Sequence, residues 1–251
     1  MVAKAETLEN WFITWFNSPY YHILYKNRDV LEAESFVNRL ISRLNLPKGS
    51  RVLDLACGKG RHSLQFKKNG FDVIGIDLSD ESIEEASLNQ QDGLDFFVHD
   101  MRELYWSEYF NLVVNLFTSF GYFHNKEDDQ KTISSVADAL KPNGLFVIDY
   151  MNAVKVQDNL VDFEEKTIDN VRFEISREVN EGVIVKSIHL TDGSMELDFK
   201  EEVDALDLSD FADYLDNAGL KVIETYGSYE LDAFDEQTSG RLIIIAQKLE
   251  D

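Results

Sequence analysis

The sequence predicts an α/β protein built on an open, doubly wound parallel sheet, preceded by helices and interrupted late in the chain by antiparallel hairpins. Three observations carry that prediction. The run Val52 to Ala56 is short and apolar enough for a buried parallel strand, and it leads directly into Cys57-Gly58-Lys59-Gly60-Arg61-His62-Ser63, a glycine turn that opens a helix. A second apolar run ends on Asp77, seventeen positions after Gly60, close to the separation at which a doubly wound unit places an acidic residue at the tip of its second strand. Strand-like and helix-like segments then alternate as far as Tyr150, the signature of βαβ units.

Taken in order, Thr7 to Asn17 places Leu8, Trp11, Phe12, Trp15 and Phe16 at helical spacing and breaks at Asn17-Ser18-Pro19. After the aromatic stretch Tyr20 to Tyr25, a helix from Asp29 sets Ala33, Phe36, Val37, Leu40, Ile41 and Leu44 on one face and stops at Leu46-Pro47-Lys48-Gly49. Packing against the sheet explains this aromatic segment; a lid over the site is the sharper reading. The first strand and the helix from Arg61 to about Gly70 follow, then the strand Asp72 to Asp77, then a helix over Asp80 to Gln90 capped by Ser79 or Asp80. Third and fourth strands are expected at Leu94 to Val98 and Phe110 to Phe117, a helix near Lys131 to Leu140, a Lys141-Pro142-Asn143-Gly144 turn, and a strand at Leu145 to Tyr150. From Val161 to Val203 the alternation turns to period two, with turns at Glu181-Gly182 and Asp192-Gly193, which reads as antiparallel hairpins within a single domain spanning residues 1–251. A helix over Ser209 to Ala218 and strands at Leu220 to Tyr226 and Arg241 to Gln247 close the chain.

The carboxyl ends of parallel strands share one edge, so the loop after the first strand, Asp77, Asp100, and Asn115 or Phe117 converge on a single crevice despite their distance in sequence. Gly58 and Gly60 permit positive φ and remove the Cβ atoms that would hold a ligand away from the backbone, while the following helix offers unpaired N–H groups. Asp77 can accept both hydrogen bonds of a ribose diol.

Composition narrows the partners. A formal net charge of −23 over 251 residues repels polyanions, which argues against a nucleic-acid substrate. The apolar runs are too short for a membrane span, and the N-terminus lacks a secretory pattern, so a soluble cytoplasmic protein, monomer or homodimer, is expected. The single cysteine, Cys57, excludes an internal disulfide and a cysteine-rich metal site.

These motifs together resemble the class I S-adenosylmethionine-dependent methyltransferases over nearly the whole chain. Asp54-Leu55-Ala56-Cys57-Gly58-Lys59-Gly60 resembles the family's first motif, although Ala56 stands where glycine is more usual. Gly75-Ile76-Asp77-Leu78-Ser79 resembles the second, whose acidic residue holds the ribose, and Asp100-Met101 the third, where an acidic side chain meets the adenine amino group and a backbone N–H meets the ring. Leu116-Phe117-Thr118-Ser119-Phe120-Gly121-Tyr122 and the aromatic segment with Tyr20-Tyr21 resemble a broad bacterial group of small-molecule or uncharacterised methyltransferases; Asn111 departs from a frequent aspartate, at the far end of its strand. The resemblance implies a Rossmann-like seven-stranded sheet with its last strand antiparallel, S-adenosylmethionine as cofactor, S-adenosylhomocysteine as product, and His62 under the cofactor carboxylate.

Methyl transfer from a sulfonium asks mainly for positioning, water exclusion and, where the acceptor arrives protonated, a base. Tyr21, Phe117, Phe120 and Tyr122 are candidates to shelter the methyl group, and His22 and His124, each beside aromatic residues, are the candidate bases. A nicotinamide dehydrogenase fits worse, because Ser63 takes the third glycine position of that fingerprint. An aminopropyltransferase would add carboxylates beside the fourth strand, where Leu116 to Ser119 offers none. A non-catalytic cofactor-binding module is the remaining alternative to a small-molecule methyltransferase.

Overall fold

Short β-branched runs separated by amphipathic helices produce a central sheet whose strands are β1 (Arg51–Leu55), β2 (Asp72–Asp77), β3 (Leu94–Val98), β4 (Phe110–Asn115), β5 (Leu140–Met151), β10 (Leu220–Tyr226) and β11 (Arg241–Lys248). The computed structural model describes residues 11–26 and 30–250. The spatial order is β10-β11-β5-β4-β1-β2-β3. Neighbours from β5 to β3 run parallel, and β11 runs antiparallel to both β5 and β10. The Rossmann-like sheet with an antiparallel last strand is therefore present.

Helices cover both faces, as the near-continuous apolar strands require. Val52 of β1 and Val114 of β4 face Phe36, Val37 and Leu40 of α3 (Val30–Leu44), Phe66 of α4 (Arg61–Lys68) and Ile83 of α5 (Asp80–Ser87). Leu53 and Val113, one residue along, face Ile133 and Val136 of α6 (Lys126–Ala139) and Phe211 and Leu215 of α8 (Leu208–Asn217). The period of two along each strand thus divides the core into two layers.

Several predicted boundaries shift. Helix α6 begins at Lys126, five residues before the expected Lys131, because Asn125 caps it, accepting from the Glu127 N–H at 2.9 Å. Strand β5 absorbs the expected Lys141–Gly144 turn, and β4 stops at Asn115, not Phe117, because the next residues turn left-handed. Pro19 does not merely end α1 (Trp11–Phe16); it occupies the first turn of a second short helix, α2 (Pro19–Leu24), whose start Ser18 caps. Thr7, Leu8 and Asp29, assigned to helices from the sequence, lie outside the described residues.

The predicted hairpins form a separate antiparallel sheet of β6 (Phe163–Ile168), β7 (Val171–Asn180), β8 (Val183–Asp192) and β9 (Met195–Asp204), entered through α7 (Ala153–Asp158). Its apolar face carries Phe173, Ile175, Ile188 and Leu190, and the aromatic helices α1 and α2 cover it with Trp15 and Leu24. Trp15 donates from Nε1 to Glu201 at 2.7 Å, and the Tyr25 hydroxyl donates to the same carboxylate at 2.6 Å. The N-terminal aromatics therefore pack on this second sheet, not on the central one. Among the described residues no helix is long and apolar enough to cross a membrane.

Candidate functional site

The chain leaves β1 through two left-handed residues, Ala56 (φ 54°) and Gly58 (φ 54°), and enters α4 through a third, Gly60 (φ 77°). This geometry turns backbone N–H groups toward the β2 tip. Cys57 N–H donates to the Ile76 carbonyl at 2.9 Å, and Gly58 N–H donates to Asp77 Oδ2 at 2.8 Å. Asp77 Oδ1 accepts from Ser79 N–H at 2.8 Å, so the carboxylate is fixed before any ligand is present.

The two glycines serve different ends. A Cβ on Gly58 would point into open space, which is where a ligand can approach the backbone, whereas a Cβ on Gly60 would lie 2.6 Å from the Phe96 ring. Gly60 is thus required as glycine by packing. Asp54 lies deeper. It is sealed under the loop, accepts from Ser63 Oγ at 2.5 Å, and its burial pushes its carboxyl up to about 7. It braces the loop from below; Cys57, also buried, does the same through backbone contacts.

Two buried polar atoms at this edge have no hydrogen-bond partner among the described residues: His62 Nε2 and Asn115 Oδ1. Burial, together with the Arg61 charge, lowers His62 well below its ordinary value, so its imidazole is neutral. Asn115 donates from Nδ2 to the Leu55 carbonyl at 3.3 Å, which holds its oxygen at the ends of β1 and β4. A lone imidazole nitrogen and a lone amide oxygen, beside a glycine loop with open space above it, suit the carboxylate and ammonium of an amino-acid moiety. This donor set fits S-adenosylmethionine.

The third expected contact is already partly engaged. Asp100 accepts from the Arg102 backbone N–H at 2.9 Å and from its guanidinium at 2.7 Å. Burial works to raise this carboxyl, yet the hydrogen bonds and charge of Arg102 hold it below the ordinary range. Arg102 reaches on to Asp128 at 2.8 Å and lies over the Phe123 ring. Met101 starts a short 3₁₀ turn and packs partly into the core, and Leu78, beside Asp77, is exposed at the lip of the crevice.

Beyond β1 the edge passes to β4. Leu116 is buried, and Phe117 and Thr118 both adopt positive φ, 65° and 58°. The Phe117 ring is fully engaged, with the Arg61 guanidinium 4.0 Å over it, Tyr229 stacked at 5.1 Å and His62 at 5.1 Å. Phe120 turns into the core against Phe211, so it does not shelter a methyl group. Tyr122 meets Trp11 and Phe16 edge-on at 5.6 Å, and Phe16 in turn meets Tyr21 at 5.0 Å. Asn17 and Ser79 are hydrogen-bonded, which brings the α1–α2 connection over the β2 edge.

The candidate bases part company. His22 lies against Tyr21, and burial and the Lys59 charge lower its affinity for a proton. His124, after the β4 corner, is bonded through Nδ1 to Asp204 Oδ1 at 2.7 Å, with Glu202 3.7 Å from Nε2; the Asp204 hydrogen bond raises its pKa against the opposing effect of burial. Asp204 at the end of β9, Asp149 on β5, Tyr229 and Arg241 are hydrogen-bonded into the β4 corner and its neighbours, and the sequence singled out none of them. No local motif marks them, since each meets its partner only through the fold.

A methyltransferase domain model matches residues 46–198, more than half of the chain. The chain belongs to the methyltransferase family. S-adenosylmethionine is the cofactor of this family, in agreement with the donor set described above. The chain is 36% identical over 115 residues to YqeM of Bacillus subtilis, a methyltransferase by name, covering 45% of this chain and 47% of that protein. It is 33% identical over 107 residues to a Streptomyces venezuelae dTDP-3-amino-3,4,6-trideoxy-alpha-D-glucopyranose N,N-dimethyltransferase, covering 43% and 45%. The chain thus spans about half the length of these two relatives. The crystal structure of an S-adenosylmethionine-dependent methyltransferase from Clostridium acetobutylicum shares the fold, with a TM-score of 0.78, 21% identity, and coverage of 92% and 96%.

Proposed function

We propose that this methyltransferase methylates an amine-bearing small molecule, with His124 as the base and Asp204 as the group that orients it. The observation that carries this reading is the 2.7 Å bond between His124 Nδ1 and Asp204, just beyond the corner that follows β4. The cofactor supplies a methyl group already activated on a sulfonium, so the protein's part is alignment and proton removal. Gly58, His62, Asp77, Asp100 and Asn115 hold the donor, with Ala56, Met101, Leu78, Leu116 and Phe117 shaping its bed. The aromatic helices and the second sheet, through Tyr21 and Tyr122, shape the acceptor pocket and exclude water.

An amine reaches neutral solution largely as an ammonium and must lose a proton to become a nucleophile. His124 takes that proton on Nε2 while its Nδ1–H stays bonded to Asp204, which stabilises the imidazolium. The carboxylates of Glu202 and Asp204 beside it favour a cationic acceptor. The Streptomyces relative, named for an N,N-dimethyltransferase, supports a nitrogen acceptor.

The test is transfer of radiolabelled methyl from S-adenosylmethionine to a panel of amino sugars and small amino acids, against matched alcohols. We expect turnover confined to amines and reduced by about 10²–10⁴-fold in His124→Gln. Turnover with alcohols alone, or a His124→Gln enzyme as fast as the parent, would overturn the assignment, and methyl transfer to any acceptor excludes a purely binding module.

A further inference from the structure

We propose that Asp149, Arg241 and Tyr229 are positioning residues for methyl transfer: they lock the left-handed Phe117–Thr118 corner that forms the reacting edge of the crevice. The inference rests on the cofactor reading above. In the sheet order β3-β2-β1-β4-β5, a ligand with its ribose at Asp77 and its amino-acid end at the Gly58 loop has β4 as its next neighbour, one strand spacing of about 4.8 Å away. The residues that follow β4 therefore border the atom that gives up its methyl group.

At that border the backbone is held in an unusual state. Phe117 and Thr118 are consecutive non-glycine residues at positive φ, a conformation that persists only where the surroundings over-determine it. They do so here around one residue. Asp149 on β5 is fully buried, and its Oδ2 accepts from the Phe117 N–H at 2.8 Å and the Tyr229 hydroxyl at 3.1 Å. Its Oδ1 accepts from Arg241 Nε at 2.8 Å, and its backbone carbonyl accepts from the Thr118 N–H at 2.9 Å. Arg241, on β11, closes the ring by donating to Thr118 Oγ1 at 2.9 Å.

The same corner is clamped from its aromatic side. Tyr229 stacks on Phe117 at 5.1 Å with planes 20° apart, and Phe36 of α3 backs Tyr229 at 4.8 Å. Phe117 in turn covers His62. A carboxylate–guanidinium pair whose carboxylate is fully buried is an inefficient way to gain stability, because desolvation offsets the attraction. It is an effective way to fix one geometry among several, and the geometry it fixes lies at the reacting edge.

Isothermal calorimetry with two probes tests the proposal without an identified acceptor. S-adenosylhomocysteine lacks the methyl group, while sinefungin carries a carbon-bound ammonium where the cofactor has its methylsulfonium, so their affinity ratio reads the edge itself. We expect Arg241→Met to leave S-adenosylhomocysteine binding within about 3-fold of the parent and to weaken sinefungin by 10-fold or more. Arg241→Lys should restore part of the ratio, and Tyr229→Phe should show a smaller shift in the same direction. Equal weakening of both probes across the three variants, or an unchanged ratio, would mean a merely structural network and overturn the proposal. A parent protein that binds neither probe would instead remove the cofactor reading on which it rests.

Discussion

The two halves of the crevice are built on different length scales. On the cofactor side the decisive contacts are local: Ser79 meets Asp77 two residues away, Arg102 meets Asp100 two away, Ser63 meets Asp54 nine away and Gly58 meets Asp77 nineteen away. On the acceptor side His124 meets Asp204 across 80 residues, Arg241 meets Asp149 across 92, and Arg241 meets Thr118 across 123. In the proposed function a ligand common to many enzymes rests on a compact βαβ device, whereas the acceptor edge draws on β4, β5, β9, β11 and the N-terminal helices. Variation in any one of these segments can change the acceptor without disturbing the donor.

The largest effect that would test this division comes from the glycine loop. Gly60→Ala should cost about 3–5 kcal/mol of folding stability, since its Cβ would collide with Phe96 at 2.6 Å and its φ of 77° is unfavourable for alanine. Gly58→Ala should cost only about 1–2 kcal/mol, from backbone conformation alone, yet weaken S-adenosylhomocysteine binding. Urea denaturation and calorimetry separate the two outcomes. Equal stability losses would break the assignment of one glycine to packing and the other to ligand approach.

That contrast also marks how far the sequence could be read. The order of elements, the glycine turn and the acidic strand tip were legible because each depends on neighbours within one βαβ unit. Glycine spacing alone did not distinguish Gly58 from Gly60, because only the packed sheet places Phe96 above one of them. Nor did it reveal that Asp54 is sealed away, since a carboxylate inside a strand reads alike whether it faces a ligand or a serine. Asp149 and Arg241 were invisible for a stronger reason: each lies in an ordinary strand, and their meeting is set by the antiparallel pairing of β11 with β5, where Ile243 lies opposite Asp149.

Next in size is a pH dependence that spans both halves. Burial pushes Asp54 on the cofactor side up to about 7, and burial with the Asp204 charge does the same for Asp129 on the acceptor side, each from an ordinary value of 3.8. Between those values the folded protein keeps protons that the unfolded chain has released, so stability is greatest at the acid end of the window and falls as pH rises toward 7. His62, buried and neutral, acts with the opposite sign up to its ordinary value of 6.5, so the net fall should be on the order of 2–4 kcal/mol, levelling off above that pH. Thermal unfolding at pH 5 to 8 measures it, and Asp129→Asn should flatten part of the slope. A slope that Asp129→Asn leaves unchanged would contradict the protonated, buried state of that carboxyl.

Asp77 and Asp100 provide the finest comparison, because both are acidic residues at strand tips on the cofactor side and the fold treats them differently. Asp77 is held by two backbone N–H groups and is raised by burial, so a ligand hydroxyl pair finds a fixed carboxylate with little competition from charged side chains. Asp77→Asn should weaken S-adenosylhomocysteine about 10–100-fold, the range for lost hydrogen bonds to a charged group. Asp100 shares its oxygens with a guanidinium that also binds Asp128, which leaves it less able to strengthen a further bond. Asp100→Asn should therefore weaken the same ligand by less than about 5-fold, because a partly exposed, already paired carboxylate contributes little beyond its neighbours. Calorimetry on the two variants ranks the sites directly. If Asp100→Asn proved the more damaging, Arg102 would have to release the carboxylate when adenine binds, and its link to Asp128 and Phe123 would then carry that movement to the acceptor loop.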